Sequence, residues 1–269
     1  MSTAVITGAT HGLGRLVALD LARRGFDLGV IARSSAKVDD LRAEIGSGGT
    51  VTAFVADLSS LEDVRRAAKA IDAHYDRVDV LINNAGIHAF SPRVTPDGVP
   101  EMTAVNYLAP WVLTNALRDK LIASAPARVV TVASEASRQA RSLDPATALT
   151  SAAHYGRTKL MDIMFSQELA RRLEGTGVTA NCCDPGFNTT GLGRELPFAG
   201  LLEKALHALR IGDPGRGASI ITRLATDPAF ADVTGGYFSV KDAAPLRCPE
   251  AGRGVVQRLL WEETEKLLS

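Results

Sequence analysis

The sequence has few cysteines, no net charge and no long apolar run, and each shortage excludes a class of protein. Its 269 residues include three cysteines without metal-binding spacing, so we expect reduced thiols and a cytoplasmic location. Thirty basic residues balance thirty acidic ones with no basic cluster, which argues against a nucleic-acid partner. No apolar run approaches the roughly 18 residues of a membrane span, and the N-terminus lacks the basic start of a signal peptide.

The cysteines and histidines offer no metal site. Cys182 and Cys183 are adjacent in a predicted strand, so they point to opposite faces and should not pair with each other. His11, His88 and His154 lie near motifs without the spacing of metal ligands. We therefore predict no metal, and we expect these histidines to be structural or to lie beside the substrate.

Strands and helices alternate along the chain without repeats or a linker. Apolar residues make up 46% and charged residues 22%, as in a soluble domain with a full core. Strands are predicted at 4–7, 27–32, 51–56, 78–82, 128–133, 178–183 and 235–240, and a helix is predicted at about 101–121. The pattern predicts an α/β fold in one domain over 1–269: a Rossmann-type, doubly wound parallel sheet with helices on both faces.

The first strand runs directly into a glycine-rich turn and a helix, as in a dinucleotide-binding unit. The turn is spaced G-x-x-x-G-x-G. Glycines let the backbone approach a pyrophosphate, and the helix N-terminus binds its charge. We therefore predict cofactor contacts from Thr7, Gly8, His11, Gly12, Leu13 and Gly14.

The ends of three further strands carry candidate cofactor contacts. After the second strand, Arg33 and Ser34 stand where an NAD site commonly has a carboxylate, and they suit the 2′-phosphate of NADP(H). After the third strand, Asp57 and Leu58 are placed to meet adenine, although Asp57 could instead be the N-cap of the next helix. After the fourth strand, the small residues allow close backbone approach, and the predicted contacts there are Asn84, Ala85 and Gly86.

Tyr155 and Lys159 are four residues apart at the start of a long apolar-periodic helix, so they lie side by side on one face. An ammonium beside a phenol favours the phenolate, and we expect it to pull the tyrosine pKa down from about 10 toward the operating pH. The pair is a candidate acid/base device.

The order of these motifs resembles that of the short-chain dehydrogenase/reductase superfamily over nearly the whole chain. Its sequence is similar to the retinol dehydrogenase branch and to bacterial ketoreductases in Ile31-Ala32-Arg33-Ser34, in the wide gap from Ser134 to Tyr155, and in its C-terminus. The resemblance implies hydride transfer between NADP(H) and a carbonyl or alcohol. The expected substrate is a bulky hydrophobic ketone or aldehyde.

The resemblance also implies roles for particular residues. Tyr155 would be the general acid or base, Lys159 would lower its pKa and bind the nicotinamide ribose, and Ser134 would bind the substrate oxygen. Asn106 would hold a water that links Lys159 to solvent. Pro185, Gly186 and Thr190 would line the nicotinamide pocket.

Several alternatives stay open at this point. Ser137 competes with Ser134 for the substrate oxygen, and Thr189 competes with Thr190. Residues 187–212 suit a substrate lid or a surface helix, and the chain is compatible with a homo-oligomer. Other functions to consider are an NADP(H)-binding regulatory protein without turnover and an alcohol dehydrogenase that uses NAD.

Overall fold

The described part of the chain is organised around one sheet of seven parallel strands. The computed structural model describes residues 1–140, 143, 149–186, 213–240 and 251–269. The strands are β1 (Thr3–Thr7), β2 (Asp27–Ala32), β3 (Val51–Val55), β4 (Val80–Asn83), β5 (Ala127–Val132), β6 (Val178–Asp184) and β7 (Tyr237–Ser239). Their order in space is β3-β2-β1-β4-β5-β6-β7. The winding reverses between β1 and β4, and ligands bind at such a switch point in open α/β sheets.

Helices cover both faces of the sheet, so the predicted doubly wound fold is confirmed. The helices are α1 (Gly12–Arg23), α2 (Ser35–Ile45), α3 (Leu61–His74), α4 (Glu101–Thr103), α5 (Ala109–Ala116), α6 (Arg118–Ala123), α7 (Ser151–Arg172), α8 (Pro214–Thr226) and α9 (Gly254–Leu268). Two apolar clusters form the core. One joins the sheet to helices that include α1 and α8, and the other joins it to helices that include α3, α5 and α7. All five residues of β1 are buried, as expected of a strand covered on both faces.

The helix predicted at about 101–121 is wrong as a single element. A π-helical turn at Ala104–Leu108 separates α4 from α5. Leu117, with φ −98° and ψ 4°, then separates α5 from α6. The π turn is not visible in the sequence because every residue in it is buried, so no exposed position marks the change of helical period. Such turns occur frequently at functional sites, and this one carries Asn106.

The C-terminal helix docks on the core. Trp261 is buried and stacks on Phe165 of α7, with ring centroids 5.7 Å apart. The hydroxyl groups of Tyr107 and Thr264 lie 2.7 Å apart, which fixes α9 against the π turn. Large aromatic side chains bury the most area per residue, so this contact contributes substantially to holding α9 in place.

Cys182 and Cys183 point to opposite faces of β6, as predicted. Both are buried free thiols, and they belong to different apolar clusters. Cys248 lies outside the described residues. Across the part of the chain that the structure describes, none of the helices is both long enough and apolar enough to pass through a membrane.

Candidate active site

The glycine-rich turn brings the start of α1 close to the end of β4. Gly8 has φ +70° and Gly12 has φ +51°, a region that favours glycine. A Cβ atom on Gly14 would lie 2.3 Å from the carbonyl oxygen of Gly8 and 2.4 Å from Nδ2 of Asn84. Glycine is therefore required here for α1 to approach the turn. The first N–H groups of α1 are left facing the cleft, where they can bind an anion.

Hydrogen bonds between Thr7 and Asn84 hold the glycine-rich turn against the segment that follows β4. The Thr7 hydroxyl accepts hydrogen bonds from the backbone N–H groups of Asn84 (3.0 Å) and Ala85 (2.9 Å). In return, the Asn84 amide donates to the Thr7 carbonyl over 2.9 Å. Thr7 is buried and does not line the cleft, so it supports the glycine-rich turn from below; its predicted contact with a cofactor stays a prediction.

Arg33 lies beside the cleft at the end of β2, with Ala32 next to it. The end of β2 carries no carboxylate of its own: the chain runs from Ala32 through Arg33 and Ser34 into α2. Arg33 is exposed and lines the cleft, whereas Ser34 lies at the N-cap of α2 outside the lining. The charged side chain that the end of β2 itself brings to the cleft is the guanidinium of Arg33.

Asp57 and Leu58 line the same cleft at the end of β3. The structure decides against Asp57 as the N-cap of α3. Ser60 holds that position, and its hydroxyl accepts a hydrogen bond from the N–H of Asp63 over 3.3 Å. Asp57 instead accepts bonds from the backbone and hydroxyl of Ser59, both over 2.9 Å.

Ser134, Tyr155 and Lys159 meet at the opposite end of the cleft. Ser134 follows β5 and its hydroxyl accepts a bond from the N–H of Ala136 over 3.2 Å. Ser137 is buried in the short helix that follows and does not line the cleft, so the geometry favours Ser134. Tyr155 and Lys159 project from the first turns of α7, and Nζ of the lysine lies 6.0 Å from the centroid of the tyrosine ring.

The expectation that Lys159 lowers the pKa of Tyr155 overall is wrong for this structure. Burial raises the pKa of Tyr155, and this effect exceeds the lowering caused by the nearby Lys159 ammonium. Asp162 raises the pKa further, while a hydrogen bond with Ser134 lowers it. The sequence reveals the lysine but not the extent of burial, which depends on how the whole chain folds.

Lys159 is held by a carboxylate that the sequence analysis missed. Its ammonium donates to Oδ2 of Asp162 over 2.9 Å and to the carbonyl oxygen of Val132 over 2.8 Å. The two charged side chains are 4% and 1% exposed, so the ion pair is almost fully removed from water. The available signal was an acidic residue in the apolar run of α7, three positions after Lys159.

Asn106 lies behind the cleft and bridges two segments of the chain. Its Nδ2 donates to the carbonyl of Ile87 (2.9 Å) and to the hydroxyl of Thr158 (3.0 Å), and its Oδ1 accepts from the Ile87 N–H over 2.8 Å. It is buried beside Gly86, where a Cβ atom would lie 3.5 Å from both Asn106 Oδ1 and Lys159 Nζ. Whether Asn106 holds a water for Lys159 stays a prediction.

Pro185 and Gly186 line the cleft after β6, together with Asp184. Gly186 has φ +76°, and its N–H donates to Oδ1 of Asp184 over 3.1 Å. Burial raises the pKa of this aspartate. The proposed contacts from Thr189 or Thr190, and the lid at 187–212, lie outside the described residues.

These parts enclose a cleft of about 410 Å³, within the usual size of a ligand site. It is lined by most of the predicted residues, namely Gly8, His11, Gly12, Leu13, Gly14, Arg33, Asp57, Leu58, Asn84, Ala85, Gly86, Ser134, Tyr155, Lys159, Pro185 and Gly186. An anion-binding turn at one end and hydroxyl donors at the other fit a dinucleotide and a carbonyl.

An aromatic wall formed by His88 and Phe90 lies beside Tyr155. The His88 ring lies 5.0 Å from the Tyr155 ring and 4.6 Å from the Phe90 ring, centroid to centroid. His88 and the hydroxyl of Ser151 are 2.9 Å apart. The sequence already suggested that His88 is structural or lies beside the substrate, and the structure places it in the lining of the cleft; the ring contact with Phe90 was not predicted.

The comparisons with known proteins agree with this geometry. A family model described as short chain dehydrogenase matches residues 2–197. Retinol dehydrogenase 13 of Homo sapiens is 37% identical over an alignment of 282 residues that includes gaps. The alignment covers 99% of this chain and 84% of that protein. A provisionally named daunorubicin C-13 ketoreductase DnrU of Streptomyces sp. (strain C5) is 33% identical over 269 residues, with 97% and 90% coverage.

A solved structure supports both the fold and the cofactor class. The protein is from Beutenbergia cavernae, is provisionally named an NAD(P)-dependent gluconate 5-dehydrogenase, and was crystallised with NADP at low occupancy. It is 32% identical with a TM-score of 0.73, covering 89% of this chain and 94% of that one. The resemblance found in the sequence is confirmed. The chain belongs to the short-chain dehydrogenase family, whose members are pyridine-nucleotide oxidoreductases.

Proposed function

We propose that the chain is an NADP(H)-dependent reductase of bulky hydrophobic ketones or aldehydes. The observation that carries the proposal is the convergence of Ser134, Tyr155 and Lys159 at one end of a cleft whose other end holds Arg33 and the glycine-rich turn. A dinucleotide bound along this cleft would place its nicotinamide beside the hydroxyl groups of Ser134 and Tyr155. NADPH supplies the hydride that adds to the carbonyl carbon.

The roles of the protein groups follow from the charge that develops on the substrate oxygen. Two hydroxyl donors, Ser134 and Tyr155, stabilise that oxygen as it gains negative charge. Tyr155 then gives its proton to the oxygen, which completes the alcohol. Lys159 stabilises the phenolate that remains and binds the ribose hydroxyls. In the oxidation direction the same phenolate takes the proton back.

The preference for NADP(H) is supported by the end of β2. Arg33 lines the cleft there, and its neighbour Ala32 brings no negative charge. A guanidinium pairs well with a phosphate group, whereas a carboxylate would repel it. The NADP-bound Beutenbergia cavernae structure points in the same direction.

The substrate class is supported by the wall next to Tyr155. His88 and Phe90 form a continuous aromatic surface on this tyrosine, and Phe90 is 42% exposed. His88, Ile87 and Val105 line the cleft, whereas Phe90 lies behind His88 and outside the lining. Such a surface favours a large apolar molecule. The names of the relatives, a retinol dehydrogenase and a daunorubicin ketoreductase, fit a ligand of this kind.

The experiment is NADPH consumption across a panel of bulky hydrophobic ketones and aldehydes, with Tyr155→Phe and a matched tyrosine variant. Tyr155→Phe should lose at least about a hundredfold in rate, because general acid catalysis contributes 10²–10⁴-fold. Its NADPH affinity, measured by NADPH fluorescence, should stay nearly unchanged. Tyr75→Phe also removes a buried hydroxyl, but this tyrosine lies outside the cleft, so both properties should be kept.

Three results would count against the proposal. Tyr155→Phe with more than about a hundredth of the wild-type rate would exclude the acid role. Wild-type protein that binds NADPH but reduces nothing in the panel, and oxidises no matching alcohol with NAD or NADP, would favour the regulatory alternative. Oxidation with NAD but not with NADP would favour the alcohol dehydrogenase alternative.

A further inference from the structure

Asp162 is a buried carboxylate bonded directly to the lysine of the candidate site, and the proposed roles above leave it without a purpose. We propose that Asp162 is a positioning residue that offsets part of the charge of Lys159, and thereby keeps Tyr155 protonated and ready to act as an acid. The inference rests on the proposed function. It would bias the site toward reduction at neutral pH.

The geometry makes Asp162 a constant partner of Lys159. Its Oδ2 accepts from the ammonium over 2.9 Å, and the acid is one turn along the same helix. The Val132 carbonyl oxygen accepts a second hydrogen bond from the Lys159 ammonium over 2.8 Å. An ammonium has three N–H groups, and Lys159 also lines the cleft, so the third is available to a ligand there.

Among the groups that face Asp162, Lys159 is the one that carries a compensating positive charge. Its other oxygen, Oδ1, is buried and has no hydrogen-bond partner among the described residues. The titratable groups that face it are Lys159 and Tyr155 on α7, Tyr107 on the π turn and Cys182 on β6. Lys159 is the cation in this set.

Asp162 carries its charge over the pH range in which the enzyme would be assayed. Burial raises the pKa of this carboxyl to about 6, and the bond from Lys159 opposes that rise. Above that pH it is a carboxylate. Because it attracts positive charge and repels negative charge, it opposes the effect of Lys159 and makes the phenolate of Tyr155 less favourable.

Asp162→Asn separates the charge from the hydrogen bond. The amide oxygen of asparagine can still accept from Lys159, and the side chain has nearly the same shape. Lys159 keeps the Val132 carbonyl and its access to the cleft, so we expect it to remain an ammonium. The phenolate of Tyr155 then has an unopposed cation beside it, and the pKa of Tyr155 should fall.

The test follows the tyrosine itself. Protein labelled with ¹³C at the ζ carbon of tyrosine is titrated by NMR, with and without NADP⁺, because this carbon reports ionisation of the phenol. The chain has four tyrosines, and the Tyr155 signal is the one missing in Tyr155→Phe. A charge in direct contact shifts a pKa by about 1–3 units, and Asp162 acts from beyond Lys159, so we expect a fall of about one unit in Asp162→Asn.

The pH profiles of turnover give a second measurement. In Asp162→Asn, the loss of reduction rate at high pH and the gain of oxidation rate should both move to lower pH by the same amount. Glu168→Gln is the matched control: it removes another buried carboxylate from α7, one paired with Arg171 and Arg172 instead of Lys159. It should leave the Tyr155 titration unchanged.

Each outcome decides the inference. A Tyr155 titration that is unchanged or moves to higher pH in Asp162→Asn overturns it, the second result meaning that Lys159 has lost its proton. A shift equal to that of Glu168→Gln would show a general effect of charge removal. If Asp162→Asn does not fold, Asp162→Ser removes the same charge and should give the same direction. The NMR result stands even if no carbonyl is reduced, so this failure differs from failure of the proposed function.

Discussion

Arg33 offers the sharpest test of cofactor choice, because its side chain can be removed without disturbing the fold. It is exposed at the edge of the cleft, directly after β2, and the 2′-phosphate is the group that distinguishes NADP(H) from NAD(H) at this end. Arg33→Ala should therefore weaken NADPH and leave NADH nearly unaffected.

The size of the effect follows from the exposure of the arginine. Hydrogen bonds to charged groups contribute about 1.5–3 kcal/mol, and an exposed pair lies at or below the lower end because water and salt screen it. About 1.4 kcal/mol corresponds to a tenfold change in affinity. We thus expect roughly a tenfold loss for NADPH at low salt. The loss should shrink at high salt, where the Debye length falls to about 3 Å.

The assay is kcat/KM for NADPH and NADH with one carbonyl substrate, together with direct titration of each cofactor. Arg23→Ala is a matched control. It removes an exposed arginine from the last turn of α1, whereas the cleft lies at the first turn of that helix. The net charge changes equally in both variants. Only Arg33→Ala should reduce the preference for NADPH.

Ala32→Asp should go further than Arg33→Ala. The new carboxylate would stand beside the cleft, repel the 2′-phosphate and accept a hydrogen bond from the ribose hydroxyls of NADH. Equal wild-type values for the two cofactors, or equal losses for both in Arg33→Ala, would refute the assignment to Arg33. A loss of the same size in Arg23→Ala would attribute the effect to net charge.

Two further predictions concern Lys159 and the glycine turn. Lys159→Ala should lose both rate and NADPH affinity, and it leaves Asp162 to ionise alone in a buried place. The loss of unfolding free energy relative to wild type, measured in urea, should therefore be larger at pH 8 than at pH 5. An equal loss at the two pH values would contradict the buried ion pair. Gly14→Ala places a Cβ atom 2.3 Å from the carbonyl oxygen of Gly8. It should cost about 1–3 kcal/mol of unfolding free energy and weaken NADPH binding. Gly48→Ala, which has open space around it, should cost little, and equal effects of the two variants would argue against the close approach.

The sequence predicted those features that depend on local spacing. The order of strand, glycine turn and helix predicted the turn that lines one end of the cleft, and the four-residue spacing placed Tyr155 and Lys159 on one face of α7. Buried parallel strands such as β1 are mostly apolar, so their positions could also be predicted. These properties depend on residues that are close together in the sequence.

Features that depend on distant contacts could not be predicted. The net pKa shift of Tyr155 depends on burial by several elements, and the sequence showed the lysine alone. Asp162 looked like an ordinary acid in an apolar run until the structure placed it against Lys159. Asp57 and Ser60 both suit a helix N-cap, and only the hydrogen bond from Asp63 distinguishes them.

The docking of α9 has a spectroscopic consequence. The chain contains two tryptophans, Trp111 and Trp261, and their ring centroids lie 5.3 Å apart. Both are buried, and neither lines the cleft. The tryptophan fluorescence of the protein therefore comes from one contact between α5 and α9. It reports whether the C-terminal helix is seated, so a thermal or denaturant melt followed at tryptophan wavelengths would detect undocking of α9 even while the dinucleotide turn stays intact.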